Sequence, residues 1–232
     1  MSLFFSSEKV ETYPPITVLE LFTSQGCSSC PLADKLLTQI KNKDSNSQII
    51  ALSYHIDYWN YMGWKDPFSK SAFSDKQRLY SSKFNGSTMY TPQIVVNGKE
   101  HFVGSDSNKM TDRIQHHSKI SAENKIEITA IESAKNKVNF SYNIFGNIKN
   151  KSLRIALVIE ERSTKIARGE NRNLTLKNSN IVISEVTIDL KNQNGKHGIV
   201  IPKSVIKIDV LKLVVIIENA DLDIVGANEF NL

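Results

Sequence analysis

Residues 17–31 have the sequence TVLELFTSQGCSSCP, and this stretch decides the predicted fold. Residues 17–22 are a short run of mostly apolar side chains, which is typical of a buried β-strand. After Pro31, apolar side chains recur at helical spacing, at Leu32, Leu36, Leu37 and Ile40. We therefore expect a strand, a turn that carries Cys27 and Cys30, and a helix that begins at the cysteines.

A second strand and a second helix follow along the chain. Residues 49–54 form another apolar run of strand length. Asp66 followed by Pro67 is typical of an N-cap residue with proline at the first helical position, so we expect a helix from there towards Tyr80. The order strand, helix, strand is that of a βαβ unit.

A hairpin and a third helix complete the first half. The dipeptide Asn97-Gly98, which favours a tight hairpin turn, lies between strand-like runs at 93–96 and 101–103. Asp106 is expected to cap a helix that continues through Ile114. A βαβ unit followed by a hairpin and a helix predicts an α/β fold with a small mixed sheet.

The pattern changes after about Ser121. Apolar and polar residues now alternate, and strand-like runs occur at 126–130, 138–144, 153–159, 181–190, 198–201 and 211–217. Many short strands with little helical pattern predict an antiparallel β-sandwich. The expected organisation is a leader at residues 1–12, an α/β domain with a helical insertion at 13–121, and an all-β sandwich domain at 125–232.

Composition excludes several classes of protein. The chain has 232 residues, a net charge of +5, 40% hydrophobic residues and only two cysteines. Two cysteines are too few for a disulfide-stapled scaffold, and the hydrophobic fraction is too high for a disordered chain. The basic side chains form no cluster, so we predict no nucleic-acid binding. No apolar run approaches the roughly 20 residues of a spanning helix, and the first residues lack the charged region of a signal peptide.

Cys27 and Cys30 are separated by two residues at an expected helix start. The unpaired amides and the dipole of a first helical turn stabilise a thiolate, which makes a thiol there more reactive. Cys27 is expected to be the exposed attacking thiol and Cys30 the resolving partner. An inert disulfide and half of a zinc site stay open as alternatives, although zinc needs about four ligands and the chain has no second cysteine pair. We predict neither a metal nor another cofactor.

Thr91-Pro92 follows Tyr90 and precedes a predicted strand. A trans proline is allowed at the first position of a strand, because no ladder N–H is needed there. A cis bond would instead place the backbone of Thr91 beside Cys27, where it could pair with a substrate chain. We favour the cis form and assign Tyr90, Thr91 and Pro92 to substrate binding.

Glu20 interrupts the apolar strand seven residues before Cys27. A buried carboxylate there could carry the proton of Cys30 during catalysis, so Glu20 is a third candidate catalytic residue. The alternative is an edge residue that faces water.

An aromatic segment follows the second strand and contains His55, Trp59 and Trp64. One interpretation makes these residues a lid or substrate platform near the cysteines. The other makes them a hydrophobic plug that fixes a loop, with His55 as a hydrogen-bonded core histidine.

The chain resembles the DUF1223 family of thioredoxin-like proteins. The resemblance is strongest in the first half, at residues 20–31, 33–34, 55–59, 63–68, 77, 80, 90–93 and 96–98. Weaker agreement extends to residues 169–172 and 225–227, where the family usually continues with a further Gly and Arg after Arg172, whereas Asn173 and Leu174 follow here.

This resemblance implies an α/β thioredoxin-like fold followed by an all-β antiparallel sandwich domain. Similarity to thioredoxins also implies Cys27 as nucleophile, Cys30 as resolving residue and Thr91-Pro92 as a cis-proline loop. Family members are mostly bacterial and commonly carry a signal peptide, so an extracytoplasmic location, periplasmic or secreted, is expected. Ser28-Ser29 replaces the Gly-Pro of thioredoxin, which leaves open whether the protein reduces, oxidises or isomerises disulfides.

Two functional hypotheses result. The first is a thiol–disulfide oxidoreductase that acts on disulfide- or thiol-bearing proteins and exchanges electrons with an unknown redox partner. The second is a non-catalytic module that binds a protein partner or Cu(I), since two thiolates favour Cu(I). Turnover that depends on Cys27 distinguishes the first from the second.

Overall fold

The computed structural model describes residues 11–41, 48–86, 89–134 and 136–232. Its first half contains β1 (Ile16–Thr23), α1 (Cys30–Lys41), β2 (Gln48–His55), a 3-10 helix (Asn60–Met62), α2 (Ser71–Lys83), β3 (Gln93–Val96), β4 (Glu100–Val103) and α3 (Ser107–His117). The second half contains β5 (Lys125–Ala134), β6 (Lys137–Phe145), β7 (Lys151–Lys165), β8 (Thr175–Asp189), β9 (Asn194–Val200), β10 (Leu211–Asn219) and β11 (Ile224–Asn231).

One large mixed sheet corrects the predicted fold class. Its eight strands lie in the order β11-β10-β7-β8-β2-β1-β3-β4, so the strands of both halves form a single sheet. The halves join where β8 pairs in parallel with β2, at Ser53 and Ile181. The expected thioredoxin-like α/β fold followed by a separate sandwich is therefore wrong, and the protein is mostly β, with 47% strand and 18% helix.

Burial explains why the second half does not form its own sandwich. Residues 153–159 of β7 and 212–218 of β10 are buried without interruption. A strand of a two-layer sandwich shows one face to water and alternates, whereas continuous burial requires a layer on each side. One face of β7 and β10 packs in a core with Phe73 and Tyr80 of α2. The other face packs against the small sheet β5-β6-β9.

The helices α1 and α3 cover the part of the sheet that the small sheet leaves free. Leu19 and Leu21 of β1 pack there with Leu37 of α1 and Met110 of α3. Side chains alternate along a strand, so Glu20 points to the opposite face, which carries α2. No helix among the described residues is long and apolar enough to cross a bilayer.

Most local predictions are confirmed, with two corrections. All three predicted helices are present, Asp106 caps α3 through a bond from the Lys109 amide, and the hairpin turn has Asn97 at φ 49° and Gly98 at φ 67°. Asp66 is not an N-cap, because α2 begins five residues later, after Lys70. The strand β11 was not predicted.

The expected domain limits stay a prediction. Residues 1–10 of the expected leader lie outside the described residues. Tyr13 and Ala122, which lie near the two ends of the expected first domain, exchange backbone hydrogen bonds of 2.9 and 3.0 Å.

A buried ion pair connects the two halves inside the sheet. Nη1 of Arg154, on β7, lies 2.9 Å from Oε1 of Glu20, on β1, and both side chains are almost fully buried. Burial and the nearby Glu20 raise the pKa of Tyr80 well above its usual value, so its phenol stays protonated and donates to the other Glu20 oxygen. Glu218, on β10, adds a second carboxylate 3.6 Å from Arg154.

Replacing Arg154 with methionine should destabilise the whole chain. The variant leaves the buried Glu20 carboxylate without its cation, which costs roughly 3–5 kcal/mol of unfolding free energy. Urea unfolding measures the loss. The control is Lys177→Met, because Lys177 pairs with Glu161 at the surface and such pairs contribute below about 1 kcal/mol. Equal losses of unfolding free energy in the two variants would show that the buried pair stabilises the fold no more than a surface pair does.

Candidate functional site

Cys27 and Cys30 form a disulfide in the turn between β1 and α1. The turn is compact because the Cys27 amide donates to the Ser24 carbonyl (3.2 Å) and the Cys30 amide donates to the Cys27 carbonyl (3.3 Å). The Cα atoms of the two cysteines are 5.5 Å apart, which is a normal separation for a disulfide. The predicted order of a strand, a turn that carries the cysteines and a helix is therefore present.

The cysteines themselves are buried, contrary to the expectation that Cys27 is exposed. Both have no accessible surface, whereas Ser28 and Ser29 between them are exposed. One reason is that Trp59 covers the turn so closely that a Cβ on Gly26 would lie 3.3 Å from the Trp59 Cβ. Access to either sulfur therefore requires a local movement of the covering residues.

The Thr91–Pro92 peptide bond is cis, as predicted. It lies against the cysteine turn, since the Ser29 hydroxyl donates to the Thr91 carbonyl at 3.5 Å. The indole N–H of Trp59 donates to the Thr91 hydroxyl at 2.8 Å. The structure thus brings Thr91, Pro92 and Trp59 together beside the cysteines.

Trp64 also contacts the cysteine turn, whereas the hydrogen bonds of Tyr90 go to residues outside the turn. The indole N–H of Trp64 donates to Oε1 of Gln25 at 3.1 Å. The hydroxyl of Tyr90 lies 2.9 Å from Nδ1 of His101, on β4, and its carbonyl accepts from Gln77. Trp59 and Trp64 are half-buried, so each indole both fixes a loop and keeps an exposed part. Their assignment to substrate binding stays a prediction.

His55 lies at the end of β2 in a buried ion pair. Its Nδ1 is 2.7 Å from Oδ2 of Asp66, and both side chains are fully buried. Burial alone would lower the pKa of His55, but the carboxylates of Asp66 and Asp34 outweigh it and raise that pKa. Burial would raise the pKa of Asp66, but His55 and the hydrogen bonds to Asp66 outweigh it and lower that pKa. Each member of the pair therefore favours the charged form of the other.

Asp66 also fixes the cysteine turn. Its Oδ2 accepts from the Gln25 amide at 2.8 Å, two residues before Cys27. Its Oδ1 accepts from the Phe68 amide at 2.9 Å. The interpretation of His55 as a hydrogen-bonded core histidine therefore fits these contacts, and through Asp66 it also supports the turn.

Asp34, which was not among the predicted site residues, is a buried carboxyl group in the helical turn of α1 that follows Cys30. It lies on α1 four residues after Cys30, and residues at this spacing occupy neighbouring positions on a helix face. The Thr23 hydroxyl donates to Asp34 Oδ2 at 3.1 Å, and Thr23 lies opposite His55 in the β1–β2 register. Burial raises the pKa of Asp34 to about 6, against the opposing charge of His55.

Two atoms of this cluster have no hydrogen-bond partner among the described residues. They are Oδ1 of Asp34 and Nε2 of His55, and both are buried. Burial therefore removes both atoms from water without a compensating hydrogen bond. A single polar residue inside the apolar stripe of a helix was the signal in the sequence that could have found Asp34.

Glu20 is not brought together with the cysteines. It points to the α2 face of β1, where Arg154 and Tyr80 bind its two oxygens. Cys30 is the first residue of α1, and α1 covers the opposite face of the large sheet. The proposed proton transfer from Cys30 to Glu20 therefore has no supporting contact.

Three residues of the second half complete the turn, and none of them was among the predicted site residues. The side-chain amide of Asn171 donates to the carbonyls of Gln25 and Cys27, each at 2.9 Å. Glu170 accepts from the Ser28 amide at 3.0 Å, and Asn178 accepts from the Gln25 side chain at 2.9 Å. These contacts join residues more than 140 positions apart, and the family resemblance at residues 169–172 was the signal in the sequence that could have found Glu170 and Asn171.

The described residues contain no group of three or more His, Cys, Asp or Glu side chains arranged to hold a metal ion. The chemical groups that the site does offer are two cysteine sulfurs, a buried carboxyl group with a raised pKa and a buried imidazole. Such a set can exchange a disulfide and move one proton.

The comparisons with known proteins concern family and fold. The sequence model of a family described as "Protein of unknown function (DUF1223)" matches residues 18–218. The X-ray crystal structure of a protein from Agrobacterium tumefaciens is similar, with 27% identity, a TM-score of 0.68, and coverage of 92% of this chain and 93% of that one. No functionally curated protein matches the sequence.

A second solved structure is much less similar. It is a DUF3823 family protein from Bacteroides ovatus, with 12% identity, a TM-score of 0.32, and coverage of 46% of this chain and 51% of that one. A similarity at this level supports no argument about the present chain.

Proposed function

We propose that this chain, which belongs to the DUF1223 family, is a thiol–disulfide oxidoreductase that acts on protein or small disulfides through Cys27 and Cys30. The observation that carries the proposal is the Cys27–Cys30 disulfide at the start of α1, with the cis Thr91–Pro92 bond against it. A disulfide that closes so small a ring constrains the unfolded chain little, so stabilisation alone is a weak reason for it.

The reaction transfers two electrons from the reduced pair to a substrate disulfide. The Cys27 thiolate attacks one substrate sulfur, which forms a mixed disulfide and releases the other substrate sulfur as a thiolate. Cys30 then loses its proton and attacks the Cys27 sulfur, which restores the Cys27–Cys30 disulfide and releases the second substrate thiolate. The reverse sequence oxidises a dithiol.

Asp34 is the group best suited to accept the proton of Cys30. A helical side chain leans towards the preceding turn, so the carboxyl group of Asp34 leans towards Cys30. With a pKa of about 6, Asp34 is mostly ionised at neutral pH and close to the value at which a general base works best. The charge of His55 opposes the effect of burial and so favours the ionised form of Asp34, which is the form that accepts the proton. Asp34 therefore replaces Glu20 in our proposal.

The surface beside the cysteines offers contacts to a polypeptide. Ser28 and Ser29 are exposed, and Thr91, Trp59 and Trp64 surround the turn with half-buried side chains. Indole rings provide large apolar contacts that tolerate different sequences, which suits a protein substrate. Once the covering residues move, a substrate chain can approach the Cys27 sulfur between these groups.

Exchanging each cysteine for serine should give two different results. Cys27→Ser removes the attacking sulfur, so reduction of a small disulfide by the reduced protein should fall to the uncatalysed rate. Cys30→Ser removes only the resolving sulfur, so mixed disulfides on Cys27 should accumulate and appear by mass spectrometry. Ser82→Ala, far along the chain on α2, is the matched control and should leave turnover unchanged.

The enzyme proposal fails if Cys27→Ser and the unchanged protein reduce the disulfide at the same rate. Stoichiometric retention of Cu(I) without any turnover would support the binding module instead.

Asp34→Asn should slow the resolving step and change its pH dependence. In the unchanged protein the rate should rise as Asp34 loses its proton, around pH 6, and then level off. The variant should be about 100-fold slower at pH 7, and its rate should keep rising with pH, because only the ionisation of Cys30 itself remains. Single-turnover formation of the Cys27–Cys30 disulfide measures this step.

The control is Asp75→Asn, which removes an exposed carboxylate from α2. An Asp34→Asn profile that coincides with the control would exclude Asp34 as the proton acceptor.

A further inference from the structure

The loop between β7 and β8, residues 166–174, lies on the cysteine turn although it belongs to the second half of the chain. The loop is held together by its own backbone, since the Ile166 and Asn173 amides donate to the Leu174 and Ile166 carbonyls, each at 2.9 Å. Gly169 lies against the segment before α2, where a Cβ would be 3.2 Å from the Met62 carbonyl oxygen. This loop therefore has a fixed position on the turn.

Asn171 anchors the loop to the backbone on both sides of Gly26. Its side chain is buried, and its two amide hydrogens are shared between the carbonyls of Gln25 and Cys27. Because this anchor is adjacent in sequence to Glu170, it holds the backbone of Glu170 next to the cysteine turn.

Glu170 accepts a hydrogen bond from the Ser28 amide at 3.0 Å. Ser28 is the residue after Cys27, and its amide belongs to the turn that leads into α1. Backbone amides at this place are the donors expected to stabilise a Cys27 thiolate. A carboxylate that takes one of these donors, and places its negative charge on the amide of the residue after Cys27, opposes formation of the thiolate.

We infer that Glu170 is a positioning residue that lowers the acidity of the Cys27 thiol, so that the second half of the chain sets the reactivity of the cysteine pair. The inference deepens the proposed redox function and rests on it. The reduced form is favoured when the thiolate is stabilised, so the Glu170 carboxylate shifts the pair towards its disulfide form. A protein partner that displaced Glu170 would make Cys27 a better nucleophile.

Other charged groups face the turn and have to be separated from Glu170. Asp34 lies on α1 one helical turn after Cys30, and the His55–Asp66 pair supports the cysteine turn from β2 and the segment before α2. All three stay unchanged when Glu170 alone is replaced. A comparison of variants therefore isolates the contribution of Glu170.

The experiment measures the alkylation rate of Cys27 by iodoacetamide as a function of pH. It uses the full chain with Cys30→Ser, which leaves Cys27 as the single thiol among the two cysteines of the sequence. Adding Glu170→Gln keeps an acceptor for the Ser28 amide but removes the charge. The midpoint, which is the pH at which the alkylation rate reaches half of its maximum, should fall in this variant. The alkylation rate at pH 7 should rise about threefold at low salt, with a smaller change at high salt.

Glu161→Gln is the matched control, because it removes a surface carboxylate that pairs with Lys177 on β8. Its midpoint should equal that of the parent protein. Circular dichroism and urea unfolding establish that both variants fold, and a change in stability alone would not move the midpoint. Equal midpoints for Glu170→Gln and Glu161→Gln would overturn the inference.

The outcome is distinguishable from failure of the proposed function, because alkylation needs no substrate. A lowered midpoint in a protein without disulfide turnover supports the inference about Glu170 and contradicts the oxidoreductase proposal. An unchanged midpoint in a protein that does turn over disulfides contradicts the inference about Glu170 and supports the oxidoreductase proposal.

Discussion

The ion pair between Arg154 and Glu20 is the interaction on which the rest of the structure depends. It is buried in the middle of the large sheet and joins a strand of the first half to a strand of the second. A single buried charge is costly, so neither half can keep its member of the pair in the interior without the other. Together with the pairing of β2 and β8, it makes one sheet out of two sequence patterns.

The single sheet explains how the cysteine site is assembled. The parallel strands β1 and β2 end at the same edge, with Thr23 opposite His55, so the cysteine turn and the His55–Asp66 pair become neighbours. Because β8 lies beside β2, the loop that precedes it also reaches the turn and contributes Glu170 and Asn171. The first half supplies the sulfurs and the proton acceptor that we propose, and the second half supplies groups that hold them.

The sequence predicted those features that depend on neighbouring residues. The strand before Cys27, the helix after it, the Asn97-Gly98 turn and the cis Thr91–Pro92 bond each have a local signal. The fold class could not be predicted in the same way, because a continuous apolar run in β7 does not reveal which strand will lie beside it. The burial of Cys27 and the contacts of Glu170 could not be predicted for a similar reason, because the residues that they contact lie far away in the sequence. Asp34 is different, because its spacing from Cys30 is visible in the sequence. Only the structure shows that Asp34 is buried, and burial is what raises its pKa.

We propose that the buried disulfide is a redox centre and not a structural clamp, and the reduction potential of the pair distinguishes these two roles. Equilibration of the full chain in glutathione or dithiothreitol buffers, followed by trapping of free thiols, gives the potential of the Cys27–Cys30 pair. A redox centre should have a potential between about −120 and −270 mV, the range of exchange catalysts. A value well below about −300 mV, as in structural disulfides, would contradict it.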